Sequence, residues 1–177
     1  MPTPLRLLLT AVSLPLIALA LNFSACKNPC KDVTCDNLGA PVEEGDDCRC
    51  DCRPGYSGAR CTSLWLNDII GLYDVSYTCT GNGPTDPADS YFSNLDAVGS
   101  GSATEFRFTN FAGYNSTAIG TLSSATTFSL REDNVDPNFQ GMTFSGSGTV
   151  FGDSIVVSYN VVYNGTLDIC EATYKKR

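Results

Sequence analysis

Nine cysteines in 177 residues leave this chain few ways to fold, and the odd count constrains it further. Six of them, Cys30, Cys35, Cys48, Cys50, Cys52 and Cys61, crowd into 32 residues. Cys79 and Cys170 stand alone far downstream, and Cys26 follows an apolar run. Exported proteins seldom keep a free thiol, so the unpaired cysteine needs a separate role.

The first 25 residues read as an export signal. Arg6 gives a short positive start, and residues 7–21 are apolar apart from Thr10, Ser13 and Pro15. That stretch is short for a bilayer span, which needs about 20 residues. No later segment is long and apolar enough to cross. Phe23-Ser24-Ala25-Cys26 resembles the lipobox of bacterial lipoproteins, with Phe where Leu is usual. The resemblance implies cleavage before Cys26, acylation of its sulfur and amino group (palmitate-type chains), and a membrane as partner. Two or more acyl chains hold stably where one is marginal. Ordinary secretion, with Cys26 free or in a disulfide, is the alternative. On this reading 1–25 is the signal, 26–29 the lipidated tether, 30–62 the cysteine-rich module and 63–177 a second domain.

Within the module, Cys50-Asp51-Cys52-Arg53-Pro54-Gly55-Tyr56-Ser57-Gly58-Ala59-Arg60-Cys61 resembles the C-terminal half of an EGF-like domain. So short a segment buries too little apolar surface to fold without disulfides. Six cysteines allow fifteen connectivities. The resemblance implies Cys30 with Cys48, Cys35 with Cys50 and Cys52 with Cys61. A second register, in which Cys26 takes the first position and Cys48 is left over, stays open. The calcium-binding signature of that family is missing before Cys30, and no metal or cofactor is implied. Glu43, Glu44, Asp46 and Asp47 fall in the long loop before Cys48, where charge reads as solvated surface.

From Ser63 onward the composition shifts to Thr, Ser, Gly, Val, Phe and Tyr, and strand-like runs alternate with turns. Eight strands are expected, at 70–79, 89–98, 104–111, 115–122, 126–131, 142–150, 154–163 and 167–174. Tyr73, Val75 and Tyr77 share one face, as do Ile155, Val157, Tyr159, Val161 and Tyr163. Phe151-Gly152-Asp153 and Asn164-Gly165 are hairpin signals. The only helical signal is a short turn near Trp65. The expected fold class is mainly β: a small disulfide-rich EGF-like module plus an eight-stranded antiparallel up-and-down β-barrel. Closure removes unprotected sheet edges. Closure also lets Cys79, late in the first strand, meet Cys170, early in the last; in an open meander they would exceed the roughly 7 Å disulfide limit, although a sandwich could also bring them together.

Gly71-Leu72-Tyr73 resembles the Gly-x-Trp opening of lipocalin-like (calycin) barrels, with Tyr for Trp, and the turn before it fits a lid. Cys170-Glu171-Ala172-Thr173-Tyr174-Lys175 resembles the end of small barrels in lipoproteins of the Bacteroidetes group. These resemblances imply an outer-membrane lipoprotein of the bacterial cell envelope, at its periplasmic face or cell surface. They also imply a small apolar ligand held among Tyr73, Tyr77, Phe106, Phe108, Phe144, Tyr159 and Tyr163. The competing expectation is an interior filled by those rings, with Gly141, Gly146 and Gly148 relieving crowding or making space. A structural or adhesive surface protein would then bind a partner through loops, notably 80–89 and 132–140.

Catalysis has little to work with. The chain has no histidine, the commonest acid–base group. Gly99-Ser100-Gly101-Ser102 reads as loop, and Glu132, Asp133 and Asp136 as a turn-rich insertion near Pro137. A net charge of −8 argues against nucleic acid as a partner. The expectation is a non-enzymatic protein; nothing in the sequence sets its oligomeric state.

Overall fold

A computed structural model of the chain describes residues 28–81, 90–99 and 101–177. The signal segment, the lipidation candidate Cys26, most of loop 80–89 and Ser100 lie outside the described residues.

The cysteine-rich part holds a hairpin of β1 (Ala40–Glu44) and β2 (Asp47–Asp51), turned at Gly45 with φ 65°. Glu43, Glu44 and Asp47 of the segment between Cys35 and Cys48 lie on its paired strands, around a two-residue turn that contains Asp46, and all four are exposed, as solvated surface charge is expected to be. Disulfides join Cys30 to Cys48, Cys35 to Cys50 and Cys52 to Cys61. A second, very short pair, β3 (Tyr56–Ser57) with β4 (Ser63–Leu64), ends this part.

Eight longer strands follow: β5 (Gly71–Gly81), β6 (Ser90–Ala97), β7 (Glu105–Phe111), β8 (Ser116–Leu122), β9 (Thr127–Asn134), β10 (Thr143–Phe151), β11 (Ser154–Tyr163) and β12 (Thr166–Lys176). Each pairs antiparallel with the next, and β12 pairs back onto β5, closing the barrel. The period-two alternation dictates which side chains turn inward. Tyr73 and Val75 are buried while Asp74 between them and Ser76 after them are exposed. At the turn between β11 and β12, Asn164 and Gly165 both have positive φ, 50° and 78°. That is the backbone a two-residue hairpin of type I′ demands.

Each of the eight expected strands is present. One boundary needs correction: β9 continues through Glu132, Asp133 and Asn134 rather than stopping at Arg131. Thr117 and Ala118 of β8 pair with Asn134 and Glu132 across a bulge, and that ladder outweighs the low strand propensity of the acidic residues.

Both barrel ends are covered. The single-turn helix α1 (Leu66–Ile69) lies over the end where β5 begins, burying Leu66 and Ile69 in the core. The Tyr73 hydroxyl donates to the Ile69 carbonyl at 2.7 Å and fastens this cap. At the opposite end, Phe139 of the 3₁₀ turn Pro137–Phe139 packs between Tyr114 and Tyr163, with ring centroids 5.0 and 6.1 Å apart.

The two parts meet without a free linker. The Trp65 amide donates to the Gly55 carbonyl at 2.9 Å. Gly55, with φ 96°, lies so close to Ala103, in the connection between β6 and β7, that a side chain would not fit.

Candidate functional site

Cys170 and Cys79 are register partners on β12 and β5 and form a disulfide, with Cα atoms 4.1 Å apart. The bond lies across the contact between the first and last barrel strands. Eight of the nine cysteines are thereby paired.

The seven aromatics expected to line a ligand cavity all point into the barrel. Tyr73, Phe106, Phe108, Phe144 and Tyr159 are at most 3% exposed, while Tyr77 and Tyr163, nearer the far end, are half-buried. They are packed against one another and against neighbouring rings. Phe106 meets Phe128 edge-on at 5.0 Å, Phe108 meets Tyr174 at 5.3 Å, and Phe111 meets Tyr159 at 4.9 Å and Phe144 at 5.1 Å. Such T-shaped contacts at 4.5–7 Å are favourable aromatic geometry. Glycines make the room. A methyl group on Gly120 would run into the Phe106 ring, and one on Gly148 into the Phe128 ring. At Gly146 a methyl group would instead meet the cross-strand backbone at Ser158 and Tyr159, whereas Gly141, at φ 86°, faces open space and serves a turn.

Burial also marks the phenols. It pushes Tyr73 up to about 12, helped by the charge of Asp153. Tyr91 is raised to about 12, again chiefly by burial. Its hydroxyl lies 3.1 Å from that of Tyr174, which burial raises well above the ordinary tyrosine value.

The carboxylates flagged in the sequence have structural partners. Glu132 accepts from the Phe144 amide at 3.3 Å, and Asp136 accepts from the Asn138 amide at 2.8 Å, capping the 3₁₀ turn. Asp133 accepts from Arg107 at 2.8 Å and from Thr117 at 3.1 Å. Burial alone would raise the Asp133 carboxyl, but these hydrogen bonds and the charges of Arg107 and Arg131 hold it below the usual carboxylate range. Ser102 accepts from the Glu105 amide at 2.9 Å and organises a loop. Among the described residues no group of three or more His, Cys, Asp or Glu side chains is arranged to hold a metal ion.

Two surface concavities escaped the sequence reading. One, of about 320 Å³, opens at the capped end between α1, the β8–β9 turn, the β10–β11 turn and the end of β12. Asn67, Asp68, Thr126, Asp153 and Lys176 supply its polar groups, and Ala125, Val150 and Gly152 the rest. The other, of about 380 Å³, lies on the barrel wall beside Asp74, Tyr91, Phe92 and Arg177. There Arg177 donates to Asp74 at 2.7 Å and stacks 3.9 Å above the Phe92 ring. No local motif marks either place. Only the alternating strand direction of a meander brings positions near 68, 125, 152 and 176 to one end.

No protein-family model and no curated protein sequence matches the chain. Among solved structures, it is similar to that of a Bacteroides fragilis protein provisionally described as an outer membrane protein, at 13% identity and a TM-score of 0.42. The match covers 63% of this chain and 52% of the other, so the chain spans about half the length of that protein. No functional conclusion rests on so distant a likeness. The fold itself defines the class: a closed eight-stranded up-and-down β-barrel preceded by a three-disulfide module.

Proposed function

We propose that this is a non-enzymatic, lipid-anchored lipoprotein of the bacterial outer membrane, in which an EGF-like module presents a filled lipocalin-like barrel that binds its partner from outside. The carrying observation is the ring-to-ring packing of the barrel interior. A hidden apolar ligand would have to displace Phe106, Phe108, Phe111 and Phe128, all of them essentially without exposure. Four disulfides favour an oxidising, extracytoplasmic setting. With eight cysteines paired, Cys26 is left over for acylation after the lipobox-like Phe23-Ser24-Ala25. The disulfide pattern agrees with the EGF-like pairing, and engaged carboxylates in a chain without histidine support a role other than catalysis.

Two measurements test this reading. Mass spectrometry of protein purified from membranes should find an acylated N-terminal Cys26 and four intact disulfides; a free Cys26 thiol removes the anchor from the proposal. Titration with an apolar fluorescent probe should give no saturable binding. Stoichiometric uptake that quenches tyrosine fluorescence would restore the internal-ligand reading.

A further inference from the structure

We infer that the capped end of the barrel is a binding site for a neutral saccharide, held in the cleft between α1 and the β8–β9 and β10–β11 turns. This rests on the reading above that binding takes place outside a filled barrel, and it names a ligand class for that outside.

The charges lining the cleft are held differently from the three arginines of the barrel wall. On the wall, Arg107 is paired with Asp133, Arg131 with Glu105 and Arg177 with Asp74. Among the described residues no ion pair within 4.0 Å involves Asp68, Asp153 or Lys176, although all three line one cleft. The ammonium of Lys176 is held by a main-chain group instead, donating to the Asp68 carbonyl at 3.1 Å. Its amide donates to the Asp153 carbonyl at 2.8 Å. Lys176 thus ties the α1 cap to the β10–β11 turn, while both carboxylates and two of the three ammonium protons stay available.

That set of groups selects the ligand. Two carboxylates disfavour an anion, and the ammonium lining the same cleft works against a cation. A sugar hydroxyl satisfies both, because it donates to a carboxylate and accepts from an ammonium. Such charge-assisted hydrogen bonds are stronger than neutral ones. Asn67 and Thr126 add neutral partners, and Val150 with Ala125 offers an apolar floor for the C–H face of a sugar ring. A volume of about 320 Å³ is at the small end of small-molecule sites, suiting one or two sugar units. Tying the cap to the turn also lowers the ordering cost of binding.

The test is an amide-resolved NMR titration of the full-length protein with methyl α-glucoside, methyl β-galactoside, N-acetylglucosamine and lactose, with inorganic phosphate and spermidine as charged controls. At least one saccharide should give saturable shifts confined to residues 67–68, 125–126, 150–153 and 176. The D68A/D153A variant should weaken that binding about tenfold or more, with its urea midpoint unchanged because both side chains are exposed. Absence of saturable shifts with every saccharide, or equal shifts of the same amides by phosphate or spermidine, would overturn the proposal. Shifts of Phe106, Phe108 and Tyr159 on adding an apolar probe would instead count against the filled-barrel reading, whatever the saccharides do.

Discussion

Arg107 on β7 reaches over the intervening strand β8 to Asp133 on β9, with Nε 2.8 Å from Oδ2. Arg131 on β9 reaches back to Glu105 on β7 at 3.4 Å. Ile119, on the outward face of β8 and in register with both arginines, is only 1% exposed beneath them. Two weak ion pairs thereby shelter an apolar residue that the barrel geometry would otherwise leave in water. Because the pairs are partly exposed, an R107Q/D133N double-mutant cycle should give a coupling of about 0.5–1 kcal/mol. Ile119→Ala should cost more, about 2–3 kcal/mol in urea unfolding. A cost near zero would mean the arginines do not shield it.

Acid should expose the same arrangement. The Asp133 carboxyl is held below its ordinary value, so its contribution to stability is full above the unfolded-state value of about 3.9 and is lost as pH falls through the folded-state value. Urea midpoints of the parent chain should fall more steeply below about pH 4 than those of Asp133→Asn. Identical acid limbs would remove Asp133 from the account.

Alkali acts on the cap. Tyr73 is raised to about 12, so keeping its phenol neutral stabilises the fold fully below the unfolded value of about 10, and this is lost as pH rises to about 12. Stability should decline over that window together with the appearance of phenolate absorbance. Tyr73→Phe should flatten part of the decline. It should also cost about 1–3 kcal/mol at neutral pH by leaving the buried Ile69 carbonyl without its donor.

Filling of the interior is tested at its tightest points. Gly148→Ala and Gly120→Ala each place a methyl group against a phenylalanine ring and should cost about 1–3 kcal/mol. Combining Gly148→Ala with Phe128→Leu should recover part of that loss. If both glycine variants are neutral, the rings have space to move and the interior is not full.

The seam disulfide closes a separation of 91 residues. C79S/C170S should therefore lower stability by about 2–4 kcal/mol. The barrel should nonetheless remain closed, since nine register pairs join β5 to β12. Near-ultraviolet circular dichroism like that of the parent, with a lower urea midpoint, is the expected pattern.

Much of the barrel was legible because one face of each strand had to be apolar. Tyr73, Val75 and Tyr77 alternate with Asp74 and Ser76, and the lone pair Cys79 and Cys170 favoured a fold in which the first and last strands meet. Alternation says which side chains point inward, however, and nothing about whether they leave a hole. That was decided by Gly120 and Gly148 standing opposite the rings of Phe106 and Phe128, their register partners on the neighbouring strand, a matching of volumes that alternation alone does not report. The end of β9 was misread for a related reason. Glu132 and Asp133 look like turn residues until Arg107 of β7, Thr117 of β8 and the Phe144 amide of β10 are brought to them. The capped-end cleft was invisible because its groups come from four separate segments, each ordinary by itself.

The junction at Trp65 has a mechanical meaning. A pull arriving from the N-terminal side meets β3 and β4, joined through only two residue pairs, and then the four-residue α1, before it reaches the nine-pair ladder of β5 and β12. Disulfides brace the chain upstream and a disulfide braces the seam downstream, so the short stretch between is the weakest link in series. Under tension that stretch yields first, as a fuse does. It would release Leu66 and Ile69 from the mouth of the barrel and dismantle the cleft beside them while the barrel wall stays whole.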